Sequence, residues 1–178
     1  MSKAKLSKRE HGKIERIVDY YLNGECQELV RRCELQVKAL FSTSDDLAQH
    51  LHSTKSRIKD RERLRDKLIR KAIECKQLGQ QFDITENNLF ERVTDLVGYR
   101  ILHLHTKQIE AINRIVLSLL QSERWVVIEG PIARTWDDEF RDYFQEVGIE
   151  TRDNKRMYTN VTIFLKPMNR LDVRVSCR

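Results

Sequence analysis

Proline is scarce in this 178-residue chain: there are two, beside six glycines. The prolines fall in Gly130-Pro131 and Pro167-Met168-Asn169-Arg170, and both read as breaks between elements. The four cysteines, Cys26, Cys33, Cys75 and Cys177, are scattered without a CxxC or any paired metal spacing. That pattern argues against a disulfide framework and for reduced thiols in a cytoplasm. No apolar run approaches the length of a membrane span. The basic start, MSKAKLSKREHGK, lacks the apolar stretch of a signal peptide. A chain of this length implies one domain, or one with a small helical appendage, and it can bury a real core.

What is abundant is charge. Charged residues make up 34% of the chain, the pI is about 9.2 and the net charge is +6. The stretch Lys55–Lys71, KSRIKDRERLRDKLIRK, holds nine basic residues against three acidic ones. Its net +6 equals that of the whole chain, so the remainder is close to neutral. A concentration of like charge repels itself unless an anion sits against it. Phosphate is the expected anion, and a solvated charged helix face is the plain alternative.

Ile14, Ile17, Val18, Tyr21 and Leu22 recur at helical spacing from about Lys13, after a polar start expected to fray. A second helix follows Asn23-Gly24, and a short one is expected over Asp46 to His52. Residues 1–54 thus form a helical layer. Lys55, Arg57 and Lys59 alternate with Ser56 and Ile58, which suits an extended segment. Asp60 can cap a helix to about Leu78 that buries Leu64, Leu68, Ala72 and Cys75 and shows a separate stripe of Arg63, Lys67 and Arg70 or Lys71. Residues 86–94 suggest a short helix and 95–105 a strand with Asp95 at its entry. Further along, the pattern implies a helix over 106–121 and a strand over 125–128 ended by Gly130-Pro131. Next come a helix capped by Thr135 with Trp136 on its apolar face, a charged loop over 150–156, and two strands over 158–165 and 171–177. His103 and His105 share a strand face but lack a third metal ligand in view. The order gives an α+β fold, a mixed sheet packed with helices behind the helical layer. A strand is an odd place to stop, so further helices are expected after Arg178.

An extended Arg-x-Lys that enters a helix with another Lys two turns on makes a clamp for several phosphates. Lys55-Ser56-Arg57-Ile58-Lys59, with Lys67 and Arg70-Lys71 following, resembles the SRIK segment of the RelA/SpoT (p)ppGpp synthetases. Asp95-Leu96-Val97-Gly98-Tyr99-Arg100 is similar to that family's D-L-x-G-x-R strand. The resemblance covers about residues 40–178. It implies a nucleotidyltransferase-like domain over 55–178 and transfer of pyrophosphate from ATP to the 3′-oxygen of GDP or GTP with Mg²⁺. It further implies Arg57 on the adenine, Lys59 and Lys67 on the ATP phosphates, Asp95 on the metal as the catalytic carboxylate, and Tyr158 on the guanine.

The sequence departs from the family in two places. The G-Y-x-S-x-H loop reads Met157-Tyr158-Thr159-Asn160-Val161-Thr162, and the V-E-I-Q-I-R strand reads Val173-Arg174-Val175-Ser176-Cys177-Arg178. Arginine at 174 can neither ligate Mg²⁺ nor accept a proton. Asp172, two residues earlier on the same strand face, would replace the missing carboxylate only from about 6.6 Å farther along. No His-Asp pair marks the family's hydrolase half, so alarmone hydrolysis is not expected. A nucleotide-binding regulator without turnover, and a protein directed at RNA such as a tRNA end, share the same clamp. A homo-oligomer is left open.

Overall fold

The computed structural model describes residues 5–123, 125–155, 158–167 and 173–177, with 166–167 and 173–177 described as backbone. Helix α1, Lys8–Tyr21, begins with a capping box: Ser7 Oγ accepts from Glu10 N at 3.2 Å and Glu10 Oε2 accepts from Ser7 N at 2.5 Å. The helix therefore starts five residues before the apolar spacing implied. Asn23 caps α2, Gly24–Ser42, and Ser44 caps α3, Asp45–Ala48, which is shorter than expected. Strand β1, Ser53–Ile58, leads through Lys59 and the cap Asp60 into α4, Arg61–Gln77. Leu64, Leu68 and Ala72 are buried along α4, and Cys75 is half-buried. A 3-10 turn, Glu86–Asn88, and α5, Leu89–Arg92, precede β2, Val97–Leu102. The chain continues through α6, Gln108–Ser122, β3, Trp125–Thr135, α7, Asp138–Glu146, β4, Glu150–Asp153, β5, Asn160–Pro167, and β6, Val173–Cys177.

The strands form one mixed sheet in the order β1-β2-β6-β5-β3-β4. β2 is parallel to β6 and β3 to β4, while the other pairs are antiparallel. Alternation divides the strand residues between two faces. Val97, Tyr99, Ile101, Ala133, Val161, Ile163 and Leu165 join a buried cluster with Ile14, Ile17, Val18 and Tyr21 of α1 and with Val30, Val37 and Phe41 of α2. Phe41 meets Tyr99 with ring centroids 5.2 Å apart. The core thus runs without a break across residue 54. The opposite face carries Lys55, Arg57, Gly98, Arg100, Asn160, Thr162, Phe164 and Arg134, by register.

Four details differ from the sequence reading. β3 continues past Gly130-Pro131 to Thr135, because irregular register with β5 between Val127 and Ile132 absorbs the residue that cannot donate to the ladder. Asp137, not Thr135, caps α7, accepting from Glu139 N at 2.9 Å and Phe140 N at 3.2 Å. Trp136, stranded between strand end and cap, is 48% exposed rather than in the core. The charged stretch 150–153 forms the edge strand β4, where charge discourages further pairing.

Two glycines separate conformational need from steric need. Gly130 has φ +98°, and a Cβ there would lie 2.5 Å from the Thr162 carbonyl oxygen. Gly148 ends α7 at φ +74° with open space around it. Gly130→Ala is expected to cost about 2–4 kcal/mol, since backbone must move as well as adopt a disfavoured φ. Gly148→Ala should cost roughly 1–2 kcal/mol. Thermal unfolding of the two variants checks the order, with Gly130→Ala shifted by roughly 5–15 °C.

Candidate functional site

Three segments distant in sequence converge at one end of β1 and β2. Lys59 follows the last residue of β1, and its N–H donates to Leu96 O at 2.8 Å, extending the β1–β2 ladder by one step. Asp95 lies in the turn before β2. Lys67 stands two turns into α4, whose start is set by Asp60 accepting from Arg63 N at 2.8 Å. Lys59 Nζ approaches Asp95 Oδ2 at 3.1 Å, and Lys67 Nζ donates to Asp95 Oδ1 at 2.5 Å. The side chains are 7%, 14% and 21% exposed for Lys59, Asp95 and Lys67. Two ammoniums and one carboxylate leave a net positive charge in a site that water barely reaches.

Burial pushes the Asp95 carboxyl up, but the hydrogen bond and charge of Lys67 and the charge of Lys59 outweigh it, so it sits below its ordinary value. The pair's stabilisation is therefore complete above the unfolded-state carboxylate pKa. It is lost as pH falls through the lower folded value.

Arg57 lies one row along the open face. It is exposed and stands opposite Gly98. Its Cγ and Nε lie 3.5 and 3.6 Å from where a Cβ on Gly98 would be, so the side chain lies flat across the strand. Gly98 stands opposite residue 174 of β6, and 174 opposite Phe164 of β5. The neighbouring row sets Lys55 directly opposite Arg100.

The basic stretch divides in the structure. Arg61 pairs with Glu15 and Asp19 of α1, Arg65 with Glu15, and Arg63 with its own cap Asp60. These arginines join α4 to α1 or close its first turn, and the expected Arg63–Lys67 stripe is not a single binding surface. Lys55, Arg57 and Arg70 have no ion-pair partner among the described residues.

Tyr158 is not brought to this cluster. It lies two residues before β5, whose first residue pairs with Arg134. The Arg57–Gly98 row is reached only at Phe164, six residues or roughly 20 Å along the strand from Tyr158. Asp172 falls outside the described residues. β2 ends at Leu102, and His103 Nδ1 contacts His105 O at 2.9 Å instead of the two rings sharing a strand face. Among the described residues no three His, Cys, Asp or Glu side chains cluster as metal ligands.

Sequence reasoning did not single out Phe164, which the register sets in the Arg57–Gly98 row. Phe164 has a signal: it is an apolar residue at a position where β5's alternation calls for a polar one.

No protein-family model matches the chain, and no curated protein matches it in sequence. Among solved structures it superposes on the small alarmone synthetase 1 from Bacillus subtilis with a TM-score of 0.50 at 14% identity, over 92% of this chain and 70% of that one. The fold is that of a small alarmone synthetase. A GTP pyrophosphokinase family protein from Streptococcus pneumoniae also matches, with a TM-score of 0.47, 13% identity, and 92% and 68% coverage. At these identities the likeness is one of fold. The alarmone-synthetase-like sheet is what brings the segments at 57–67 and 95–98 together.

Asp95→Asn strands a 7%-exposed ammonium, whereas Lys67→Met leaves the Lys59–Asp95 pair balanced. At neutral pH the first should lose about 2–4 kcal/mol and the second under about 1 kcal/mol. The gap between wild type and Asp95→Asn should close as pH falls through and below the ordinary carboxylate range, read by chemical denaturation across pH.

Proposed function

We propose that this chain is a pyrophosphotransferase of the alarmone-synthetase type, moving the β,γ-pyrophosphate of ATP to the ribose 3′-oxygen of GDP or GTP. The observation that carries it is the buried Lys59–Asp95–Lys67 cluster, where two separately read motifs meet. Lys59 and Lys67 are compact charges suited to polyphosphate, and anionic phosphate can replace the carboxylate as their partner. Arg57, flat across Gly98, offers its planar face to a purine. Tyr158 would serve the guanine base from the far end of β5. The Bacillus subtilis enzyme has been seen bound to its product pppGpp and to AMPCPP, which supports nucleotides as the ligand class.

Magnesium bound by one carboxylate plus substrate phosphates and waters is common. Asp95 fits that arrangement, because each of its oxygens holds one ammonium and keeps a further lone pair. It fits a Mg²⁺ that arrives on the triphosphate, where the ion would spread the phosphate charge. In the transfer, the bond from Pβ to the AMP oxygen breaks as the 3′-oxygen bonds to Pβ, AMP leaves as its phosphate anion and the hydroxyl's proton passes to solvent. Lys59 and Lys67 hold the transferred group while charge builds on its oxygens.

A second reading, nucleotide binding without transfer, is favoured by residue 174. The residue paired with Gly98 in the register is arginine, a type that cannot take the proton of an attacking hydroxyl. One assay separates the two. ATP with Mg²⁺ and GDP or GTP should release AMP and raise the thermal midpoint. A midpoint shift without AMP selects the binding reading, and AMP release only with RNA present selects an RNA acceptor. No shift and no AMP with any acceptor would sink both. Lys67→Met should weaken ATP binding about 10–100-fold, measured by calorimetry.

A further inference from the structure

Tyr21, in α1, is fully buried, and its hydroxyl donates to the main-chain carbonyl of Lys59 at 2.7 Å across 38 residues of sequence. A phenylalanine would fill the same apolar space, so the hydroxyl is there for its hydrogen bond. Burial pushes its pKa up to about 12, and it stays a donor at any working pH. From the other side, Lys59 N–H donates to Leu96 O, the residue after Asp95. The Lys59 main chain is thus held between a helix outside the sheet and the turn that carries its carboxylate.

A second tether acts three residues upstream. Ser56, on the core side of β1, donates to Glu34 Oε1 of α2 at 2.5 Å, and Lys38 balances that carboxylate at 3.1 Å. β1 is an edge strand, hydrogen-bonded along β2 alone. The two tethers bracket Arg57 and Lys59 and supply the support that a missing neighbouring strand would have given. The leverage is geometric: a main-chain rotation of about 10° moves an ammonium some ~6 Å away by about 1 Å, enough to spoil a productive contact.

We propose that Tyr21 is a positioning residue of the site, fixing the Lys59 main chain so that its ammonium meets Asp95, and that Glu34 supports the same strand through Ser56. The helical layer thereby sets the geometry of the cation clamp. The nucleotide half of the test rests on the proposed function; the other half does not.

Tyr21→Phe removes the donor and keeps the ring. In the intact chain, the ¹⁵Nζ resonance of the buried Lys59 ammonium should be protected in wild type and broadened or lost in the variant. ATP affinity should fall about 3–10-fold, the size expected for one hydrogen bond. In a Lys59→Met background the same substitution should add nothing to the affinity loss, while its effect on the thermal midpoint persists. Val116→Ala, in the core face of α6, should lower the midpoint and leave affinity unchanged. Should Tyr21→Phe fail to fold, Ser56→Ala carries the same measurements, with a smaller effect in the same direction. An unchanged Lys59 resonance overturns the proposal, as does an affinity loss equal in both backgrounds. If wild type binds no ATP while the resonance responds, the positioning role stands and the nucleotide reading falls.

Discussion

Asp95 is held by two ammoniums, and much of the molecule is arranged around keeping that contact in place. A carboxylate at 14% exposure survives as an anion only because Lys67 and Lys59 offset its loss of water. Each of the three residues is delivered by a different device. Lys59 comes from the step after an edge strand, Lys67 from a helix whose start is fixed by Asp60, and Asp95 from the turn into β2. Losing the placement of Asp95 leaves two ammoniums without their carboxylate, while losing one lysine leaves the other paired.

The sheet explains why the cluster faces a usable surface. Its apolar rows, Val97–Ile101 and Val161–Leu165, pack into the core with the helices, which leaves the alternate rows to Lys55, Arg57, Gly98 and Arg100. Gly98 is the one position in its row without a side chain, and Arg57 fills that gap. An arginine lying on a glycine over a polar face is poorly placed for packing and well placed for a flat ligand. The alarmone-synthetase-like fold supplies this geometry.

Legibility differed by region for physical reasons. Helices α1, α2, α4 and α6 were readable because their apolar period repeats over several turns, and Asp60 caps α4 where expected. The second half of β3 and all of β4 were not, because pairing with a neighbouring strand, not local propensity, made them extended. Ser7 extended α1 through a capping box in a stretch with no apolar signal. Within the site, Lys59, Lys67 and Asp95 could be picked as residue types in two motifs, but their mutual contact could not.

The sequence by itself determined the α+β class, the helical layer, the concentration of positive charge in 55–71 and the two motifs that carry Lys59, Lys67 and Asp95. Those are properties of local order, and local order is written in spacing and residue type. Only the tertiary structure decided which of the nine cations serve the site. Arg61 and Arg65 were taken by the acids of α1, while Lys59 and Lys67 were turned onto Asp95. The physical reason is that a charge's role depends on which opposite charge the fold brings within about 4 Å and how little water remains between them.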